Sequence, residues 1–284
     1  MWIKEWWSGQ DCILLTRYER RWRILKDVLV AIPTKDKISI IPLALYSISQ
    51  QTFRDFDLLI YDDGKYPVTE SYVVRHLFDF LQIHRGIEVI HKRGSVAESS
   101  LTRARLAIFE YALERDYKFL LFQDDDAIPE PNALERLLET MRGRNAAFTD
   151  SVWIDVNNIL GHKDYSLHVV SKAESQNLLA SSPWTAKFRR YEEGLVIERD
   201  YTMCGFTLFN LSKIEESDLN VLRNLGDLPA EIEAFTSHIT KRGEKGYLVT
   251  DAVVYHFPHP SESRDWYNIL GMFREFVVRR GGEL

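Results

Sequence analysis

The chain has 284 residues, 45% of them hydrophobic and 27% charged, enough for one large α/β domain or two small ones. A formal net charge of −6 argues against nucleic acid as the main partner, because neutralising phosphates calls for a basic face. Two cysteines, Cys12 and Cys204, make no disulfide framework, and no apolar run approaches the roughly 20 residues of a membrane span.

The opening MWIKEWWSGQDCILL has its apolar stretch broken by Lys4, Glu5 and Asp11, unlike a secretory signal, so a soluble cytoplasmic protein is expected. DVLVAIPTKD (27–36) is a short apolar run closed by a proline, the pattern of a buried strand and a loop. Ile41, Leu45 and Ile48 follow at helical spacing, with the helix ending near Gln51. FDLLIYDDG (56–64) predicts a second buried strand, 69–83 a helix, 86–91 a third strand, 97–115 a long helix and 117–122 a fourth strand. Asp124, Asp125 and Asp126 come next. Three adjacent carboxylates repel one another, and burying them uncompensated costs about several kcal/mol per ion, so either water or a cation serves them. Asp124 and Asp126 point the same way if the segment is extended.

Pro129 and Pro131 stop the strand, with Pro131 at a first helical position and NALERLLETMRG as the helix. Residues 145–156 read as a strand, 157–200 as polar irregular loops over a site, and 201–214 as strand then helix. EIEAFTSHITKRGEKGY is a glycine-capped helix, and YLVTDAVVYHFPHP holds two short strands ending at His256. In the terminal DWYNILGMFREFVVRRGGEL, Trp266, Leu270, Phe273 and Val277 share one helical face. That face packs on the domain or, as the alternative, lies on a membrane surface. Strands alternating with helices imply a mostly parallel sheet flanked by helices. Ligands then bind beyond the carboxyl ends of the strands. Pro33–Lys35, Asp62–Asp63, the loop after His91 and Asp124–Asp126 would share that rim.

At VLVAIPTKDKISIIPLALYSISQQTFRDFDLLIYDDG, FLLFQDDDAIPEPNALERLL and DAVVYHFPHP the chain resembles family-2 glycosyltransferases of the GT-A fold. The resemblance implies an N-terminal extension (1–26), a GT-A domain (27–258) and a C-terminal amphipathic helix (259–284). Within the domain, 27–126 would bind the nucleotide sugar and 127–258 would serve the acceptor and catalysis. It implies transfer of a sugar, with inversion, from a UDP- or GDP-linked donor to a hydroxyl of a glycan, a lipid-linked molecule or a small molecule, aided by Mn²⁺ or Mg²⁺. Asp124 and Asp126 with His256 would hold the metal (His259 is the local rival), and Asp125 would assist. Pro33, Thr34, Lys35 and either Asp62 or Asp63 would form the nucleobase pocket, though Asp-Gly is also common turn chemistry. Arg103 or Arg105 would meet the diphosphate, with Leu106 standing where the family has asparagine. Glu233, or else Glu231, would be the base, in place of the family's Glu-Asp pair. Gly205 would let backbone approach the sugar, and Trp153 and Trp184 are candidates for stacking on it. A sugar nucleotidyltransferase and a degenerate nucleotide-sugar-binding module are the alternatives.

Overall fold

Seven consecutive residues of β1 (Val28–Thr34) are buried, the mark of a strand covered on both faces. In the computed structural model, which describes residues 26–97, 100–155, 194–202, 205–225 and 231–257, β1 lies between two parallel neighbours. One is β2 (Phe56–Asp62), in register from Val28 opposite Phe56 to Thr34 opposite Asp62. The other is β4 (Phe119–Gln123). β3 (Val89–Arg93) adds in parallel to β2. Among these strands run α1 (Ile41–Ser49), α2 (Tyr72–Arg85) and α3 (Leu101–Leu113). Ser71 and Ser100 accept the capping N–H groups of Val74 and Arg103, and Gly86, at φ +65°, closes α2.

Beyond β4 the sheet changes sense. β8 (Phe206–Asn210) is antiparallel to β4, and β6 (Phe148–Asp155) is antiparallel to β8. β9 (Gly246–His256) is parallel to β6. β5 (Ala127–Pro129) and β7 (Val196–Arg199) both lie antiparallel to β9. The order along the sheet is β3-β2-β1-β4-β8-β6-β9-β5, with β7 also on β9. Three helices complete the described part: α4 (Ala133–Arg144), α5 (Glu216–Leu225) and α6 (Glu231–Lys241).

Alternation along β1 sorts the core. Val28, Val30 and Ile32 join Ile41, Leu45, Leu81, Leu134 and Leu138 under α1, α2 and α4. Leu29 and Ala31 face α3, α5 and α6. There Phe109 packs against Phe122 and Phe235, each at 5.1 Å between ring centres, and against Phe209 at 5.3 Å. Helices cover both faces, as the alternation of elements predicts. No helix among the described residues is long and apolar enough to cross a membrane.

Three local expectations change. Asn132 occupies the helix boundary of α4, so Pro131 precedes the helix and its carbonyl accepts the Thr52 N–H at 2.7 Å. The two short strands expected after Gly246 are one strand of 11 residues, whose pairing with β6 shifts between Ser151 and Val152. Within the segment read as irregular, Val196–Arg199 is a strand. The N-terminal extension, most of 157–200 including Trp184, His259 and the C-terminal helix fall outside the described residues.

Candidate functional site

Because β1, β2 and β4 run parallel, their carboxyl ends finish on one rim. Pro33 and Thr34 end β1, Asp63 follows β2, and Asp124–Asp126 follow β4. Together with Ser100, Leu101 and Ala104 at the start of α3, and with Lys35 and Lys37, they line a cavity of about 320 Å³. Four carboxylates face two lysines there, so the walls carry an excess of negative charge.

The three aspartates do not run extended. The Ala127 N–H donates to the Asp124 carbonyl at 3.1 Å, closing a turn, and the Asp124 N–H is anchored on the Gly205 carbonyl at 2.8 Å. The turn sends each carboxylate to a different partner. Asp124 meets the Arg105 guanidinium at 3.3 Å, Asp125 accepts the Thr34 hydroxyl at 2.7 Å, and Asp126 lies 3.8 Å from the Lys37 ammonium and 3.6 Å from the His256 imidazole. Pairing of Ala127 with His256 across β5 and β9 brings that histidine to Asp126, and the Phe257 N–H bonds the Asp126 carbonyl. Burial pushes the Asp124 carboxyl up to about 6 against the pull of Arg105, with Asp126 adding repulsion. Burial and Asp126 likewise push Asp125 up to about 7 against Lys37 and the Thr34 hydroxyl, and burial raises Asp126.

Among the described residues no three histidine, cysteine, aspartate or glutamate side chains converge as a finished metal site. The donor set nevertheless suits a hard divalent ion. It offers carboxylate oxygens in a cavity with surplus negative charge, and such ions take one or two protein carboxylates and complete their shell with phosphate and water. Asp124, Asp126 and His256 are the residues that would hold it.

Asp62 and Asp63 have separate duties. Asp62 is fully buried and accepts the N–H groups of Gly64 and Val68 at 2.9 Å each, the Arg93 guanidinium at 2.7 Å and the His91 ring at 3.2 Å. Burial alone would raise its pKa, but these bonds outweigh burial and hold it below the ordinary 3.8. The carboxylate shapes the 62–68 turn and is not among the side chains that line the cavity. Asp63 is the one that lines the cavity, seated so close to Gly94 that a Cβ there would lie 1.7 Å from its oxygen.

The two candidate glutamates separate in the same way. Glu231, at the start of α6, is 7% exposed and ion-pairs with Arg105, which also holds Asp124. Glu233 is half-buried; neither glutamate is among the residues lining the cavity, and the ion pair with Arg105 is what sets Glu231 apart. Arg103 is exposed, with its N–H on the Ser100 cap, while Arg105 is buried. Gly205 makes room for protein instead of sugar. A Cβ there would sit 1.1 Å from the Trp153 ring, which in turn packs 4.8 Å from the His256 ring. Lys37 is a cavity-lining residue that the family motifs do not mark, and His91 and Arg93 support the site indirectly, by holding Asp62 in the turn beside Asp63. The available signal was a loop, IPTKDK, carrying two lysines beside a strand end destined for acids.

The family model described as glycosyl transferase family 2 matches residues 29–210. An undecaprenyl-phosphate mannosyltransferase of Micrococcus luteus is 30% identical over 115 residues, 40% of this chain and 44% of that one, so the match spans less than half of the relative. Among solved structures, GalNAc-T7 with UDP, GalNAc and Mn²⁺ superposes with a TM-score of 0.59 at 13% identity over 90% of this chain and 48% of the other. S. aureus TarS gives 0.54 at 15% identity over 88% of this chain and 39% of the other. Residues 1–349 of TarS with UDP-GlcNAc give 0.55 at 13% identity, over 88% and 66%.

Proposed function

The chain belongs to glycosyl transferase family 2, and from that premise we propose that it moves a sugar from a nucleotide-diphosphate sugar to an acceptor hydroxyl, with inversion at the anomeric carbon. The observation that carries the reading is the convergence of Thr34, Asp63 and Asp124–Asp126 on one cavity with Lys35 and Lys37. A volume of about 320 Å³ falls at the lower end of small-molecule sites. Proteins of the same fold have been crystallised with UDP-GlcNAc and with UDP, GalNAc and Mn²⁺, which supports a nucleotide-linked sugar as donor.

In this reading Asp63 accepts an N–H of the nucleobase, beside Pro33 and Thr34. Lys35 and Lys37 face the donor's diphosphate and lower the cost of bringing it to an acidic wall. Asp124 and Asp126 with His256 would hold Mn²⁺ or Mg²⁺, which supplies charge neutralisation for the departing nucleoside diphosphate. Glu231 takes the proton of the acceptor hydroxyl as its oxygen bonds to the anomeric carbon, while the bond from that carbon to the phosphate oxygen breaks. Glu231 is preferred to Glu233 because it is tied through one guanidinium to the cavity aspartate.

A thermal-shift panel of UDP-, GDP- and dTDP-sugars with and without Mn²⁺, followed by product analysis, tests the proposal. The expected result is metal-dependent stabilisation by one nucleotide class and release of the nucleoside diphosphate with transferred sugar. Release of pyrophosphate with a nucleotide sugar as product would replace it with nucleotidyl transfer. Full activity in chelator would remove the metal.

A further inference from the structure

Arg105 is 4% exposed and faces two acids from distant parts of the chain. One guanidinium nitrogen pairs with Glu231, 126 residues away at the start of α6, and another lies 3.3 Å from Asp124, 19 residues away after β4. A planar guanidinium presents several N–H groups at fixed angles and can hold two carboxylates at a set separation, which a single ammonium cannot. The arginine itself is fixed by α3, where the Ser100 cap begins the helix and Ile108 and Phe109 bury its far end at 0% exposure. Its charge is therefore engaged by protein carboxylates, and Glu231, 7% exposed, depends on it for compensation. Donor-side and acceptor-side elements meet at this side chain. The family resemblance left Arg103 or Arg105 to meet the diphosphate; in the structure Arg105 pairs with Glu231 and Asp124.

We infer that Arg105 is a positioning residue: by gripping Glu231 and Asp124 together it fixes the α6 carboxylate in register with the turn of Asp124–Asp126, whose side chains line the cavity. The inference rests on the reading of Glu231 as the proton acceptor.

Four proteins test it: the wild type, Arg105→Lys, Glu231→Gln and the double variant. For each, UDP and GDP affinity is measured by calorimetry with Mn²⁺, and kcat and KM by donor turnover. Arg105→Lys keeps nucleotide affinity within about threefold and loses roughly a hundredfold in kcat, as expected when a catalytic group is displaced by about an ångström. The double variant loses no more than the worse single one, because both changes disable the same unit. A tenfold or greater rise in nucleotide Kd for Arg105→Lys with kcat kept would show that the guanidinium serves the phosphates and would overturn the inference. Losses that multiply in the double variant would do the same. A wild type that binds nucleotide but transfers no sugar sinks the proposed function. The same four proteins are then compared by melting temperature, where additive losses overturn the coupling and equal losses retain the contact.

Discussion

In residues 28–123 four parallel strands carry charge to the rim by direction alone. Thr34, Asp63 and the Asp124 turn arrive together because β1, β2 and β4 end on the same side. In residues 127–257 the strands run both ways, and polar groups are placed by pairing instead. Asp150 on β6 accepts the Arg199 guanidinium at 2.8 Å and the Thr207 hydroxyl at 3.0 Å. The Thr207 hydroxyl meets that of Thr202, whose N–H bonds Thr236 on α6. That buried network fastens three strands to the helix bearing Glu231. A parallel sheet supplies a ligand rim through topology, whereas the added half needs satisfied buried charges to hold a helix in place.

The comparison breaks most visibly at Asp126. Asp126→Ala should lower turnover about a thousandfold and remove the Mn²⁺-linked gain in nucleotide affinity, with no loss of melting temperature, since one of three crowded acids is gone. Initial rates, calorimetry and a melting curve check it. The second half should fail through folding: Asp150→Asn leaves Arg199 buried beside a neutral group and should cost about 3–5 kcal/mol in a denaturant titration. Glu231→Gln should cost kcat about a hundredfold while Glu233→Gln stays within about threefold, and equal effects would return the base to the first turn of α6 at large.

The smallest effect separates two neighbouring acids. Asp62→Asn should lose about 1–3 kcal/mol at neutral pH and Asp63→Asn almost none, while only the latter weakens nucleotide binding. The Asp62 contribution also has a pH signature. Its four donors outweigh burial and hold the folded carboxyl below its ordinary value. The contribution is therefore complete above the unfolded pKa and disappears as pH falls through the folded one. The gap between wild type and Asp62→Asn should begin to narrow as pH drops below about 4 and close only below the depressed folded pKa, and a gap that widens on acidification would contradict this.

Much of the first half could be read from residues alone. Apolar runs ended by Pro33, Asp62 and Asp124 defined strands and rim together, because periodicity and strand ends are local properties. Legibility falls where long-range pairing decides. The turn at Asp124–Ala127 and the short strand β5 exist because Ala127 pairs with His256, and nothing near residue 127 announces a partner 129 positions on. The division of labour between Asp62 and Asp63 required knowing that Arg93 and His91 of β3 reach the first and not the second. The preference for Glu231 over Glu233 likewise depends on Arg105, and helix α5 went unread beside the strand before it.

Trp153 seated in the hollow of Gly205 has one more consequence. The carbonyl of that glycine also anchors the aspartate turn, so any methyl added at 205 must evict an indole and tug on the acids in the same motion. The two positions behave as a single volume shared between strands β6 and β8. Enlargement at one is tolerable only alongside shrinkage at the other, and descendants of this chain would be expected to trade bulk across that wall in matched steps.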